Sequence, residues 1–231
     1  MNFLEALRER VWISDGAMGT LLQSKGISPG RCLEELNLSL PALVRQVHEE
    51  YREAGAEILE TNTFGANSVR LAPHGLEERC YEINVAGARL ARAVAGDDGV
   101  VAGAVGPLGA SAGAARQEVF RRQIEALAEG GADLILLETF RDLHELRDAM
   151  EAARAACDLP LAVAVSPDED GNLAGGEGPR SFAPRLAEWG ADVIGCNCGV
   201  GPQAMLDTIQ RMAALTATPL LAQPSAGLPT L

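Results

Sequence analysis

Residues 130–139 read GGADLILLET, and the same order of events occurs at 54–61, AGAEILET, and at 189–197, WGADVIGCN. In each, a glycine closes a stretch of helical spacing, an alanine and an acidic residue follow, and an apolar run of strand length begins at once. A chain that repeatedly passes from helix to strand through so short a turn is building βα units around a parallel sheet. The repeat points to α/β architecture and by itself says nothing about chemistry.

Working outward, strand-length apolar runs are expected at 11–15, 57–61, 100–106, 133–139, 161–167, 192–198 and 219–225. Between them, apolar residues at i, i+3, i+4 spacing predict helices over 41–54, 77–95, 116–129, 142–156, 180–189 and 202–214. The first of these opens on Pro41, a residue suited to a first helical turn. Seven strands are one short of a closed barrel, which usually takes roughly 250 residues. The expectation is therefore a TIM (β/α)8 barrel, a single domain over 1–231, with the last βα unit missing from this chain. An open sheet of other topology is the competing arrangement.

Composition narrows the function. Hydrophobic residues make up 47% of the 231, enough for a large core. A formal net charge of −13 and only 4% aromatic residues argue against a nucleic-acid surface, which needs positive charge and stacking rings. The opening MNFLEALRER carries two glutamates and two arginines and lacks the apolar core of a signal peptide. No run approaches the ~18 apolar residues of a membrane span, so no membrane partner and a cytoplasmic location are expected. The odd set Cys32, Cys80, Cys157, Cys196 and Cys198 does not suggest a disulfide framework. Lys25 is the sole lysine, which weakens Schiff-base and phosphate-loop mechanisms.

Barrel enzymes collect functional groups at the C-terminal ends of strands. Those ends carry Asp15 and Gly16, then Glu60, Thr61, Asn62 and Thr63, then Glu138 and Thr139, then Ser166, then Asn197 and Cys198. Asp15 lies in SDGAMGT, a glycine-flanked turn whose exposed N–H groups suit a carboxylate. Glu60 and Glu138 could bind a substrate ammonium, perform acid–base chemistry, or pair with an arginine at the rim. GAVGPLGA at 103–110 lacks the spacing of a dinucleotide loop and reads as a tight turn. His48, His74 and His144 fall away from the strand ends, which disfavours a histidine metal site or a catalytic triad. The stretch 166–181, rich in Gly, Asp, Glu and Pro, is the candidate mobile loop on the same face. Strand alternation puts Cys196 and Cys198 on one side and Asn197 on the other, with Cys198 at the mouth and Cys196 packed one layer deeper in the core. One or two thiolates do not complete a zinc site.

The series SDGAMGTLLQ (14–23), CLEELN (32–37), AGAEILETNTFGAN (54–67), GAVGPLG (103–109), GADLILLETF (131–140) and GCNCGVGPQAM (195–205) resembles the homocysteine S-methyltransferase family. Within it, the resemblance is greatest to the homocysteine-binding barrels of cobalamin-dependent methionine synthases and of bifunctional homocysteine methyltransferase and methylenetetrahydrofolate reductase proteins. The resemblance implies a (β/α)8 barrel with a Zn2+ ion held by three cysteines. Cys198 matches the first, and the other two are expected beyond residue 231. Zinc coordination would keep the homocysteine thiol deprotonated for attack on an activated methyl group, giving methionine. By the same resemblance, Asp15 and Glu138 bind the substrate ammonium, the backbone around Gly16 and Thr63 takes its carboxylate, and Asn197 shapes the metal loop. The resemblance favours folate or cobalamin as methyl carrier, with 5-methyltetrahydrofolate or methylcobalamin as the donor, in a family that also uses S-methylmethionine and betaine. The alternatives are a homocysteine-binding barrel without turnover and a metal-independent lyase or isomerase working through Glu60 and Glu138.

Overall fold

The structure, a computed structural model, describes residues 3–109 and 115–227. Ala110, which ends the expected turn at 103–110, and residues 228–231 lie outside the described residues. In chain order the elements are α1 (Phe3–Ala6), α2 (Met18–Ser24), α3 (Leu36–Ser39), α4 (Pro41–Glu53), β1 (Ile58–Glu60) and α5 (Ser68–Leu71). They continue as α6 (Cys80–Ala95), β2 (Val100–Val105), α7 (Arg116–Gly130), β3 (Leu134–Phe140) and α8 (Leu143–Ala156), then β4 (Leu161–Val165), α9 (Pro179–Glu188), β5 (Val193–Asn197), α10 (Pro202–Ala213) and β6 (Leu220–Gln223).

The strands form one sheet in the order β1-β2-β3-β4-β5-β6, every pair parallel. Chain neighbours are sheet neighbours throughout, which is the wall of a TIM barrel. The sheet curls far enough for Gln223, at the end of β6, to reach Ser14 and Glu60 beside β1 with its side chain.

Alternation along the strands divides the apolar residues into two layers. Val101, Val105, Ile135, Leu137, Val163 and Val165 face the helices, in a core that includes Phe120, Phe140 and Phe182. Val100, Ala102, Leu134, Leu136, Ala162, Ala164 and Val193 face inward. Phe3 of α1 packs with this inner set, its ring meeting Trp12 edge-on at a centroid distance of 5.8 Å. The N-terminal turn thus closes the end of the barrel at which the strands begin.

The expected first strand, 11–15, is reduced to a single parallel bridge between Ser14 and Ile58. This segment has β1 on one flank only. Among the described residues no strand pairs with its other side, and Val11 and Ile13 stand 81% and 54% exposed. An apolar cavity of about 220 Å3 lies between this segment and β6, lined by residues such as Trp12, Leu134, Leu136 and Leu221.

The Gly-Ala-acid repeat has a uniform physical basis. Gly55, Gly131 and Gly190 follow helices at φ of 104°, 99° and 93°, a region that favours glycine. The next N–H returns to the helix, from Ala56 to Tyr51 O, Ala132 to Leu127 O and Ala191 to Leu186 O. The acid then reaches sideways: Glu57, Asp133 and Asp192 accept the N–H groups of Ile13, Val101 and Leu161 at 3.2, 2.7 and 2.8 Å. An arginine completes each site, Arg10, Arg92 and Arg154 respectively. One short motif therefore stops a helix, starts a strand and holds its neighbour in register.

The stretch 166–181, expected as a mobile loop, is a series of turns that buries Leu173 and is tied to α10 by Arg211, whose Nη1 donates to Asp170 O at 2.8 Å. Among the described residues no helix is long and apolar enough to cross a membrane.

Two outcomes are expected. A Cβ added at Gly190 would meet nothing within 4 Å, so Gly190→Ala should cost about 1 kcal/mol through backbone conformation alone, read as a lower urea midpoint at unchanged slope. His48 of α4 is fully buried, both ring nitrogens lack a partner, and burial holds its pKa down to about 4. Between that value and the usual 6.5 the unfolded chain binds a proton that the folded chain refuses. Stability is thus lost as pH falls through this window, by about 3 kcal/mol at most, and His48→Leu should flatten that part of the pH profile of unfolding.

Candidate active site

The C-terminal ends of the strands bring three carboxylates together. Asp15 leaves the bridged segment at 11–15, its N–H bonded to Ile58 O and its Oδ2 accepting the N–H of Glu60 at 3.0 Å. Glu60 ends β1 and accepts Ser14 Oγ at 3.1 Å and Gln223 Nε2 on the same oxygen, Oε1. Glu138 sits where β3 slips register against β4, between Leu137 and Phe140, and that irregularity turns it and Thr139 out of the regular ladder.

Among the described residues no arginine, lysine or histidine makes an ion pair with any of the three; the rim arginine weighed from sequence is not there. Burial pushes Asp15 and Glu138 well above the usual carboxylate range, and the charge of Glu60 pushes both further. Burial likewise raises Glu60, against the opposing hydrogen bonds of Gln223 and Ser14. Asp15 Oδ1 is buried with no hydrogen-bond partner. Such a cluster could receive a cationic group, and the described residues supply none to it.

Asn197 is the hub of the opposite side. It ends β5, is 1% exposed, accepts the Thr139 N–H at 2.8 Å, and donates to Glu138 Oε2 and Thr139 Oγ1, each at 2.8 Å. Its amide is spent on protein partners. Through these bonds Asn197 orients Glu138 and Thr139. Thr139 and Cys198 are the described non-glycine residues with positive φ, 64° and 54°. Backbone of this kind costs about 1–3 kcal/mol per residue and persists where its surroundings impose it. Here the Asn197 clamp holds Thr139, and the bond from Cys198 N to Gln223 O at 3.0 Å holds Cys198.

That left-handed residue overturns the alternation expected for the two cysteines. Cys196 faces the helix layer, with Sγ 3.6 Å from Met212 Sδ, and burial pushes its thiol up to about 12. Cys198 turns back towards the Asn197 side, with Sγ 3.6 Å from Asn197 Nδ2, and lies exposed at the mouth. Cys196 is core, as expected, but it does not pack beneath Cys198. Burial and the nearby Glu138 charge both raise the Cys198 thiol.

Thr63 is fully buried, its N–H donates to Thr61 O at 2.8 Å, and its hydroxyl donates to Ala104 O at 2.8 Å, so its own donors are taken within the protein. Gly16 is exposed, and a Cβ there would lie 3.0 Å from the Tyr51 hydroxyl, which donates to Ala17 O. In the expected turn 103–110, the N–H groups of Leu108 and Gly109 are occupied by Glu145 Oε1 at 2.7 and 3.3 Å, which is turn chemistry and not phosphate binding. Two contributors had weak sequence signals: Gln223 occupies a strand end, whereas Tyr51 lies on a helix with nothing to mark it.

A family model described as homocysteine S-methyltransferase matches residues 12–231. The chain belongs to the homocysteine S-methyltransferase family. Among curated relatives of this family, the methionine synthases of Mycobacterium tuberculosis and Mycobacterium leprae are 31% and 30% identical over 253 aligned residues. The match takes in 100% of this chain and 21% of each relative, so the chain spans about a fifth of their length. Among solved structures, the homocysteine methyltransferase MmuM from Escherichia coli in its metallated form superposes with a TM-score of 0.85 at 28% identity, covering 98% of this chain and 88% of that one. The MmuM apo form gives 0.77 over 95% and 84%.

As to a metal, the described residues contain no group of three or more His, Cys, Asp or Glu side chains able to hold an ion. Cys198 is a suitable single thiol donor, but a catalytic zinc site takes three protein ligands. The site as described is thus an anionic pocket beside one accessible thiol.

The unpaired carboxylates have a thermodynamic consequence. A carboxyl whose folded pKa is raised stabilises the fold below its unfolded value and loses that contribution as pH rises through the folded one. Asp15→Asn keeps an acceptor for the Glu60 N–H and removes one charge. It should melt higher than the unaltered protein at pH 8, with the difference gone by about pH 4, the ordinary carboxylate range; a calorimetric melt at the two pH values checks this.

Proposed function

We propose that this barrel binds homocysteine and presents its thiol for zinc-dependent methylation to methionine. The observation that carries the reading is the set Asp15, Glu60 and Glu138, held without a cation next to the exposed Cys198. An α-amino acid with a terminal thiol matches that pattern: its ammonium meets the carboxylates while its sulfur lies towards Cys198. The substrate carboxylate goes to the exposed backbone at Gly16, where the absence of a side chain makes room for the Tyr51 hydroxyl. Asn197 and Thr139 keep Glu138 aimed inward, so binding orients the substrate without reorganising the site.

Cys198 is the zinc ligand that the described residues contribute, and a catalytic site takes two further protein ligands. The metallated form of MmuM supports a metal in this family. Among the described residues the ligand set of that ion is not complete. The methyl donor in this reading is 5-methyltetrahydrofolate or methylcobalamin; the likeness to the two mycobacterial methionine synthases supports methionine as the product. Both donors belong to a reducing, cytoplasmic setting, in which the five cysteines remain thiols. The incomplete ligand set favours one second reading, homocysteine binding without turnover by residues 1–231 alone.

Metal analysis and methyl transfer, measured on this chain and on a polypeptide extended past residue 231, separate these readings. The extended protein should hold about one zinc, lose it with Cys198→Ala, and methylate homocysteine from one of the two donors. In the same protein Glu138→Gln should weaken homocysteine binding by about tenfold or more through loss of a charge-assisted contact. Zinc retained in full by Cys198→Ala removes the metal assignment, and unchanged homocysteine affinity in Glu138→Gln removes the ammonium site.

A further inference from the structure

Gln223, the last residue of β6, touches both sides of the mouth. Its main-chain oxygen accepts the Cys198 N–H at 3.0 Å, and its side-chain Nε2 donates to Glu60 Oε1 and to Ser14 Oγ, the latter at 3.2 Å. Ser14 Oγ in turn donates to Glu60 Oε1 at 3.1 Å. Two donors thus converge on one oxygen of Glu60, while Asp15 holds the Glu60 N–H at 3.0 Å. The main chain and one carboxylate oxygen of Glu60 are both pinned. Among the described residues, no hydrogen bond or ion pair takes Oε2.

We propose that Gln223 is a positioning residue that makes Glu60 a third anchor for the substrate ammonium, and so sets selectivity for ligands with a free α-amino group. The proposal rests on the homocysteine reading above, which places the ammonium among Asp15, Glu60 and Glu138, and extends it to Gln223. The physical need is plain. Asp15 and Glu138 repel the Glu60 carboxylate, and a flexible glutamate would relieve that repulsion by swinging away from them. A carboxamide reaching across from the far edge of the sheet opposes this, and it offers Glu60 donors without adding a positive charge that would compete with the ligand. An arginine in its place would satisfy Glu60 and neutralise the pocket. Because the same residue holds the Cys198 N–H, the distance between the ammonium end and the thiol end of the pocket is set through one side chain and its own backbone.

The test is a calorimetric titration of the zinc-loaded protein, in the extended form described above, with L-homocysteine and with 4-sulfanylbutanoate, which keeps the thiol and carboxylate but lacks the ammonium. The unaltered protein should favour L-homocysteine. Gln223→Met should lower L-homocysteine affinity about tenfold and leave 4-sulfanylbutanoate affinity unchanged, and Glu60→Gln should do the same. The double variant should lose no more than either single one, since both act on one anchor. Equal weakening of the two ligands assigns Gln223 a merely structural role and overturns the proposal, as does an additive double variant or no change. If Gln223→Met does not fold, Gln223→Asn, one methylene short of Glu60, carries the same expectation. Failure of the unaltered protein to bind L-homocysteine overturns the functional reading and this proposal together, whereas binding that ignores Gln223 overturns the proposal alone.

Discussion

Three carboxylates gathered without a counter-ion are the constraint around which this mouth is built. Desolvation and mutual repulsion both oppose the charged forms of Asp15, Glu60 and Glu138, and nothing in the hydrophobic core compensates for them directly. Each is instead held by neutral donors: a main-chain N–H for Asp15, Ser14 and Gln223 for Glu60, and the Asn197 amide for Glu138. Neutral donors fix the direction of a carboxylate and leave its charge available. The strained backbones of Thr139 and Cys198 belong to the same arrangement, because the N–H of each is fastened, one to the Asn197 hub and one to Gln223 on the neighbouring strand. In the proposed function, a ligand ammonium would offset the repulsion among them.

The other end of the sheet is governed by the opposite rule. There the acids are paired. Glu57, Asp133 and Asp192 each meet an arginine and the N–H of a neighbouring segment, two residues after a left-handed glycine. Stability is concentrated where strands begin and chemistry where they end, as in barrel enzymes generally. The rigidity of the first end lets the second tolerate strain and unpaired charge.

The fold was largely legible because its signals are local. A glycine stop, a buried alanine and an acid are consecutive in the chain, and the periodicity of each helix is decided within a few turns. The carboxylates were legible for a related reason: a strand end is a sequence position, and barrel topology collects strand ends on one face. What could not be read depended on the other flank or on a torsion angle. The segment at 11–15 has strand-like residues, yet a strand needs partners, and one bridge to Ile58 is all that β1 provides. Period-two alternation fails at Cys198 because its φ is positive, and this sends Cys196 and Cys198 to different layers. Thr63 and Asn197 are polar residues at the mouth, as expected, but whether a polar residue faces ligand or protein depends on which partners have already taken its donors and acceptors.

By itself, then, the sequence determined the parallel α/β architecture, the family and the location of the acidic groups, since these follow from short-range pattern and from motifs carried in order along the chain. Only the tertiary structure decided which acids remain unpaired, which cysteine reaches the mouth, and that Gln223 spans it. Those facts depend on residues far apart in sequence: 163 positions separate Glu60 from Gln223 and 59 separate Glu138 from Asn197. A contact of that kind is a property of how the sheet curls, and no local pattern encodes it.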